Sequence, residues 1–228
     1  QREARLVRCV IADDHPLFRS ALATLLSDSG LASRVETVAD VAALQAQIDA
    51  EGAPELLLLD LHMPGASGFS ALGWYTGAYA GNPVVMISAN THPDTVRRAI
   101  DLGAAAFLSK SASTDTIGEC LRRVLAGERG LHPDLAIGSE GTGLKTLDVA
   151  EAIGTLTPQQ FRVVAMLAEG LLNKQIAWEL GVKEATVKAH MTEIFRKLGV
   201  QSRTQAVLAL GNLNVPEPDA IAQPPGSA

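Results

Sequence analysis

The chain has little cysteine, few aromatic residues and no long apolar run. Its two cysteines, Cys9 and Cys120, are too few for a disulfide framework and lack the CxxC spacing of a zinc site. A reducing cytoplasm is the expected setting. The apolar runs fall well short of the roughly 18 residues a membrane span needs, and the opening QREARLV lacks the apolar core of a signal peptide. Neither a membrane span nor export is expected. Positive charge is also short: 19 Lys and Arg face 25 Asp and Glu, a net charge of −6 with a pI near 5.4. Taken over the whole chain, that balance argues against a nucleic-acid partner. What is present is 47% hydrophobic and 19% charged residues over 228 positions, enough for one large globular domain or two small ones.

Three apolar runs read as buried parallel strands: Leu6 to Ala12, Glu55 to Leu59 and Pro83 to Ser88. Weaker strands are expected at Arg34 to Ala39 and Ala106 to Leu108. Periodic segments at Leu17 to Leu26, Val41 to Ile48, Phe69 to Ala80, Thr95 to Leu102 and Thr116 to Leu125 read as helices between and after them. Five β-α repeats specify a doubly wound parallel sheet with helices on both faces, and such sheets place ligands beyond the carboxyl ends of their strands. The expected domain covers 5–130. Residues 131–154 read as a linker rich in Gly and acidic residues, and the proline-rich 213–228 as a disordered tail.

Residues 155–212 show helical patterns only: Pro158 to Ala168, Asn173 to Leu180, Glu184 to Leu198 and Arg203 to Leu210. Thr157 with Pro158 and Gln160 has the spacing of a capping box, and Ser202 with Gln205 repeats it. Gly170, Gly181 and Gly199 mark the helix stops. This all-α four-helix segment carries seven Lys and Arg against four Glu, a balance of +3, so the rest of the chain carries −9. The acidic total conceals a basic domain. A helix, a Gly-ended turn and a second helix rich in Thr, Lys and His is the arrangement that enters the DNA major groove. On Glu184 to Leu198, a buried stripe of Val187, Ile194 and Leu198 leaves Lys188, Ala189 and Thr192 able to reach base edges.

In the first domain, Asp13 and Asp14 end one strand and Asp60 another. Three carboxylates converging at one sheet edge repel unless a hard cation lies among them, which predicts Mg²⁺. Ser88 and Lys110, from two further strand ends, add a hydroxyl and an ammonium. With charge balanced in this way, Asp60 is placed to act as a carboxylate nucleophile toward phosphorus.

Residues 6–127 resemble the receiver domain of two-component response regulators, a flavodoxin-like (βα)5 fold. The resemblance is carried by VRCVIADDHPLFRSAL, LLLLDLHMPGASGFSAL, VVMISAN and GAAAFLSKSAS. It implies that Asp60 accepts a phosphoryl group from a histidine of a sensor kinase. It implies also that Asp13, Asp14, Asp60 and the main-chain carbonyl of His62 hold Mg²⁺, and that Ser88 and Lys110 contact the phosphoryl oxygens. Phe107 is the aromatic that packs inward behind Ser88, and His62 and Asn90 hold the positions that tune dephosphorylation. Ser111 follows Lys110 where many receivers have proline, which puts the cis peptide usual there in question.

The helical segment resembles the LuxR-type helix-turn-helix in the NKQIA and TVKAH runs and the KLGV turn, all in register. That resemblance implies a recognition helix at Glu184 to Leu198, with Lys188, Ala189 and Thr192 nearest the bases and Lys174, Thr186 and His190 toward phosphates. It implies dimerisation through the last helix. Lys183 stands where the family has a capping Ser or Thr, and is expected to offset the lost cap by meeting a DNA phosphate. Two other patterns fail. The P-loop-like run at 138–146 has Leu144 between the glycine and Lys145, and a dehalogenase-type phosphatase needs a second carboxylate where His62 stands.

The whole reads as a NarL/FixJ-type response regulator: a phosphorylation-gated, DNA-binding transcription factor without metabolite turnover. Its expected partners are a sensor histidine kinase, double-stranded DNA, a second copy of the chain and RNA polymerase. Phosphorylation is expected to shift an equilibrium from a state with the recognition helix masked by the receiver to one with it free. The alternatives are a phosphorylation-independent regulator or a protein-binding adaptor.

Overall fold

The computed structural model describes residues 7–66, 69–133, 135, 149 and 151–211. The P-loop-like run, most of the expected linker and the tail lie outside the described residues. The five strands are β1 (Arg8–Ala12), β2 (Arg34–Val38), β3 (Leu56–Asp60), β4 (Val84–Ser88) and β5 (Ala106–Ser109). They form one parallel sheet in the order β2-β1-β3-β4-β5. The helices α1 (Pro16–Asp28), α2 (Val41–Glu51), α3 (Ser70–Ala78), α4 (Pro93–Asp101) and α5 (Thr114–Leu125) connect and follow these strands.

Strand alternation divides the core. Cys9, Ile11, Leu56, Leu58, Val85, Ile87, Ala106 and Leu108 pack with α1 and α5. Val10, Ala12, Leu57, Leu59, Val84, Met86 and Phe107 pack with α2, α3 and α4 on the other face. Because successive side chains leave a strand on opposite sides, an almost wholly apolar run is what a sheet covered on both faces requires. Four of these five helix starts differ from expectation by one or two residues, for local reasons. α4 begins at Pro93, whose fixed φ suits the first turn, and α5 begins after Ser113, whose hydroxyl accepts from Thr116 N–H at 3.1 Å.

The second domain contains α6 (Pro158–Ala168), α7 (Asn173–Glu179), α8 (Glu184–Leu198) and α9 (Arg203–Gly211). Thr157 and Gln160 form the full capping box at α6, at 3.1 and 3.2 Å. At α9, Ser202 accepts from Gln205 N–H, but the Gln205 side chain accepts from Gln201 N–H instead of closing the box. Gly199 closes α8 at φ 66°, a left-handed conformation that costs glycine nothing.

The two domains share a core. Phe161 of α6 lies stacked on Trp74 of α3, with centroids 5.2 Å apart and planes at 20°. Arg162 donates to Gln45 and Asp49 of α2 at 2.8 and 3.1 Å. Residues 151–154 are helical, and Ile153, inside the segment expected as linker, is fully buried. The backbone at Gly154 lies so close to Gly77 of α3 that a Cβ on Gly77 would sit 2.7 Å from Gly154 C and 2.8 Å from its carbonyl oxygen. The docked helix is thus α6. Helix α8, expected to read DNA, keeps Thr186, Lys188, Ala189 and Thr192 exposed, so of the two states expected from sequence the arrangement present here is the one with that helix free.

Candidate functional site

The carboxyl edge of the sheet gathers the predicted acidic residues. Asp13 follows β1 and is buried; its backbone N–H donates to Val38 O at 3.1 Å, which fixes the turn beyond the strand. Asp60 ends β3 and is also buried. Asp14 reaches the same place from the exposed side. Lys110, beyond β5, crosses the edge and places its ammonium 2.9 Å from Asp60 Oδ2 and 2.7 Å from Asp13 Oδ2. Its backbone N–H donates to Ser88 O at 3.0 Å, so the ends of β4 and β5 are tied together beneath it. The ammonium lies 5.2 Å from the centre of the Phe18 ring on α1.

Two buried carboxylates and one ammonium leave an excess of negative charge. Burial pushes the Asp60 carboxyl above its ordinary value; the bonds from Lys110 and from His62 N–H at 3.3 Å only partly offset this, and the charge on Asp13 adds to it. Burial alone would lower Lys110, but its bonds to Asp13 and Asp60 carry it above the usual lysine value, so it stays an ammonium. One ligand atom from each of Asp13, Asp14, His15 and Asp60 lies within 4.8 Å of all the others. Mostly carboxylate oxygen, closely grouped and short of positive charge, this donor set fits a hard divalent cation.

Not every predicted residue meets at this point. The Ser88 side chain is fully buried, and its Oγ accepts from Asn90 N–H at 3.0 Å, which sets the β4–α4 turn. Asn90 Oδ1 in turn accepts from His92 N–H at 3.1 Å. Phe107 is fully buried beside Met86 in the face covered by α2, α3 and α4. Among the described residues no peptide bond is cis, the one after Lys110 included. Reading the sequence missed His15, whose Nδ1 lies 2.7 Å from Asp14 Oδ1, 3.1 Å from Asp13 Oδ1 and 3.9 Å from Asp60 Oδ2. Its place directly after two acidic residues was the available signal.

In the second domain, Val187, Met191 and Ile194 form the buried stripe of α8; Met191 takes the part expected of Leu198, which is half-buried. Lys174, Lys183, Thr186, Lys188, Ala189 and Thr192 are exposed and His190 is half-buried. Lys188 pairs with Glu184 one turn away at 3.1 Å, and Lys183 opens the helix without any side-chain cap.

Comparison with known proteins decides the family. Residues 9–122 match the response regulator receiver domain, and residues 154–210 match the bacterial regulatory proteins of the luxR family. The chain belongs to the response regulators that join these two domains. Its relatives include the glycerol metabolism activator of Pseudomonas putida, 34% identical over 92% of this chain and 97% of that one. The nitrate/nitrite response regulator protein NarL of Escherichia coli K12 is 30% identical over 87% and 92%. Among solved structures, the RcsB response regulator of Salmonella typhimurium superposes with a TM-score of 0.53 at 20% identity, covering 91% of this chain and 99% of that one. This response regulator is therefore a two-component, DNA-binding transcription regulator. Among its described residues no helix is long and apolar enough to cross a membrane.

Proposed function

We propose that Asp60 is the phosphoacceptor of this regulator and that its modification controls dimerisation on DNA. The observation that carries the reading is the Asp60 carboxylate itself: buried, bonded to the Lys110 ammonium at 2.9 Å and flanked by Asp13. An Asp60 oxygen attacks the phosphorus of a phosphohistidine of a sensor kinase. The P–N bond breaks, and the imidazole leaves with the electron pair. Lys110 holds its proton throughout and neutralises charge on the transferred group, while the Ser88 hydroxyl turns from Asn90 toward a phosphoryl oxygen. Mg²⁺, held by Asp13, Asp14, Asp60 and the main-chain carbonyl of His62, would neutralise charge on the phosphoryl oxygens. Phe107 packs behind Ser88 and takes up the space that movement leaves. His62 and Asn90 flank the site and tune hydrolysis of the acyl phosphate; turnover of a metabolite is not part of this reading.

Lys188, Ala189 and Thr192 face base edges, and Lys174, Lys183, Thr186 and His190 face phosphates. Because α8 is uncovered while the domains are docked, the step left for phosphorylation is pairing of two chains through α9. That helix exposes Leu208 at 66% and Val207 at 36% while burying Ala206 and Leu210. The setting is the bacterial cytoplasm, and RNA polymerase is a further partner of the DNA-bound dimer.

The test is incubation with Mg²⁺ and acetyl phosphate, followed by intact mass and gel filtration. Wild type gains one phosphoryl group and elutes as a dimer; Asp60→Asn does neither. Labelling of Asp60→Asn to the wild-type extent would overturn the assignment.

A further inference from the structure

The cation pocket of this regulator contains a nitrogen donor that an acidic pocket does not need. His15 Nδ1 lies 2.7 Å from Asp14 Oδ1, 3.1 Å from Asp13 Oδ1 and 3.9 Å from Asp60 Oδ2. In an octahedral shell with ligands at about 2.1 Å, adjacent ligand atoms are about 3.0 Å apart and opposite ones about 4.2 Å. The three separations are close to two edges and one diagonal of such a shell. Nδ1 is therefore spaced from the carboxylate oxygens as a ligand of such a shell would be.

The ring is held there by its own backbone. His15 N–H donates to Asp13 Oδ1 at 2.7 Å, and Pro16 at the first position of α1 fixes the chain that follows. The Lys110 ammonium, 3.1 Å from Nδ1 and bonded to Asp13 and Asp60, faces the lone pair a cation would take, so cation binding requires it to turn from His15 while keeping its carboxylate partners. The imidazole is 64% exposed, so it can turn Nδ1 inward while Nε2 stays in water.

We propose that His15 Nδ1 is a ligand of the divalent cation held by Asp13, Asp14 and Asp60, and that it gives the pocket a preference for first-row transition dications over Mg²⁺. This rests on the reading of that pocket as a cation site. Imidazole is a good ligand for Co²⁺, Ni²⁺ and Zn²⁺ and a poor one for Mg²⁺, which favours oxygen and keeps its waters; Mn²⁺ lies between them, accepts both donor types and reports its ligands by EPR. A pocket of three carboxylates alone has a weaker bias of this kind.

The experiment uses the full chain, stripped with EDTA and titrated with Mn²⁺ alone. Free Mn²⁺ is read from its solution EPR signal, and nitrogen coordination from ¹⁴N modulation of the electron spin echo. The expected result is one Mn²⁺ per chain with modulation from a directly bound nitrogen, lost in His15→Ala and kept in His92→Ala. His15→Asn, which puts a good capping residue at the start of α1 where His15 makes no side-chain cap, loses the modulation too. Mn²⁺ affinity falls at least about tenfold in both His15 variants, since losing even an outer-shell partner of a metal ligand costs 10–100-fold. Mg²⁺ affinity, from competition, changes less. Mn²⁺ bound by wild type without nitrogen modulation, or modulation that survives His15→Ala or disappears with His92→Ala, overturns the proposal and leaves the acidic pocket standing. Failure of wild type to bind Mn²⁺ better than Asp60→Asn refutes the pocket reading itself.

Discussion

Gly77→Ala separates the stability of the receiver from the stability of the docked arrangement. Gly77 lies inside α3, where alanine is the better helix former by about 0.5–1 kcal/mol, so the receiver alone should gain that much. The new methyl group, however, would sit 2.7 Å from Gly154 C and 2.8 Å from Gly154 O, and closer still to its Cα. All three atoms are backbone, so no side-chain rotation relieves the overlap and the domains must move apart. What they lose is the stack of Phe161 on Trp74, which is about 1.5–3 kcal/mol of apolar burial. The bonds from the half-exposed Arg162 to Gln45 and Asp49 add about 1 kcal/mol at most. A loss near 3 kcal/mol is roughly a hundredfold shift toward undocked chains. Trp74 reports it, because in a Trp178→Phe background it is the only tryptophan. Gly77→Ala should shift its emission to the red, admit acrylamide and raise the radius of gyration, while the receiver unfolds at higher denaturant. If Trp74 stays shielded and the radius is unchanged in a folded Gly77→Ala chain, the close Gly77–Gly154 contact is not what joins the domains.

Three further outcomes follow from the same geometry. Without divalent cations the Asp60 carboxyl is raised, so the folded state holds a proton the unfolded state has released, and wild-type stability falls as pH climbs from about 4 through the raised value. Asp60→Asn lacks that fall; stabilities from urea unfolding should diverge in its favour by about 1.4 kcal/mol for every tenfold weakening of the Asp60 acid on folding, and equal slopes with pH would refute it. Lys183→Ser should add a cap worth about 0.5–2 kcal/mol to α8 and reduce the salt dependence of DNA binding by about one phosphate contact; a cap gain with unchanged salt slope would show that Lys183 does not touch DNA. Burial pushes the Cys9 and Cys120 thiols up to about 12 and about 11, so neither should react with a thiol reagent at pH 8 until urea unfolds the receiver. Rapid labelling of the native chain would contradict their burial.

The sheet was legible because its strands are nearly pure apolar runs bounded by turn residues, and the pocket because its carboxylates stand at strand ends, where such a fold puts ligands. Helix starts were less legible, since Pro93 and Ser113 lie outside the apolar period that defines α4 and α5. His15 was not legible as a site residue because only the fold brings its ring near Asp60, 45 positions away. The contact between domains left no sequence signal. Phe161 and Trp74 each satisfy the pattern of an ordinary helix face, and Gly77 and Gly154 read as weak helix and linker positions until a backbone is found against them.

That contact changes how the two domains can communicate. A recognition helix covered by the receiver would make DNA binding a matter of uncovering it, whereas here α8 is open and α6 carries the contact. Phe107 of β5, beside Met86, belongs to the same continuous apolar cluster as Trp74 and Phe161. Close-packed interiors yield little to a displaced ring, so a change in Phe107 packing has α3 and α4 to act upon, and α3 is the helix that holds α6. With Asp60 as the proposed phosphoacceptor, phosphorylation and docking are then two biases on one packed element. A variant that loosens docking without touching the pocket, as Gly77→Ala does, should alter dimerisation even in the unphosphorylated chain.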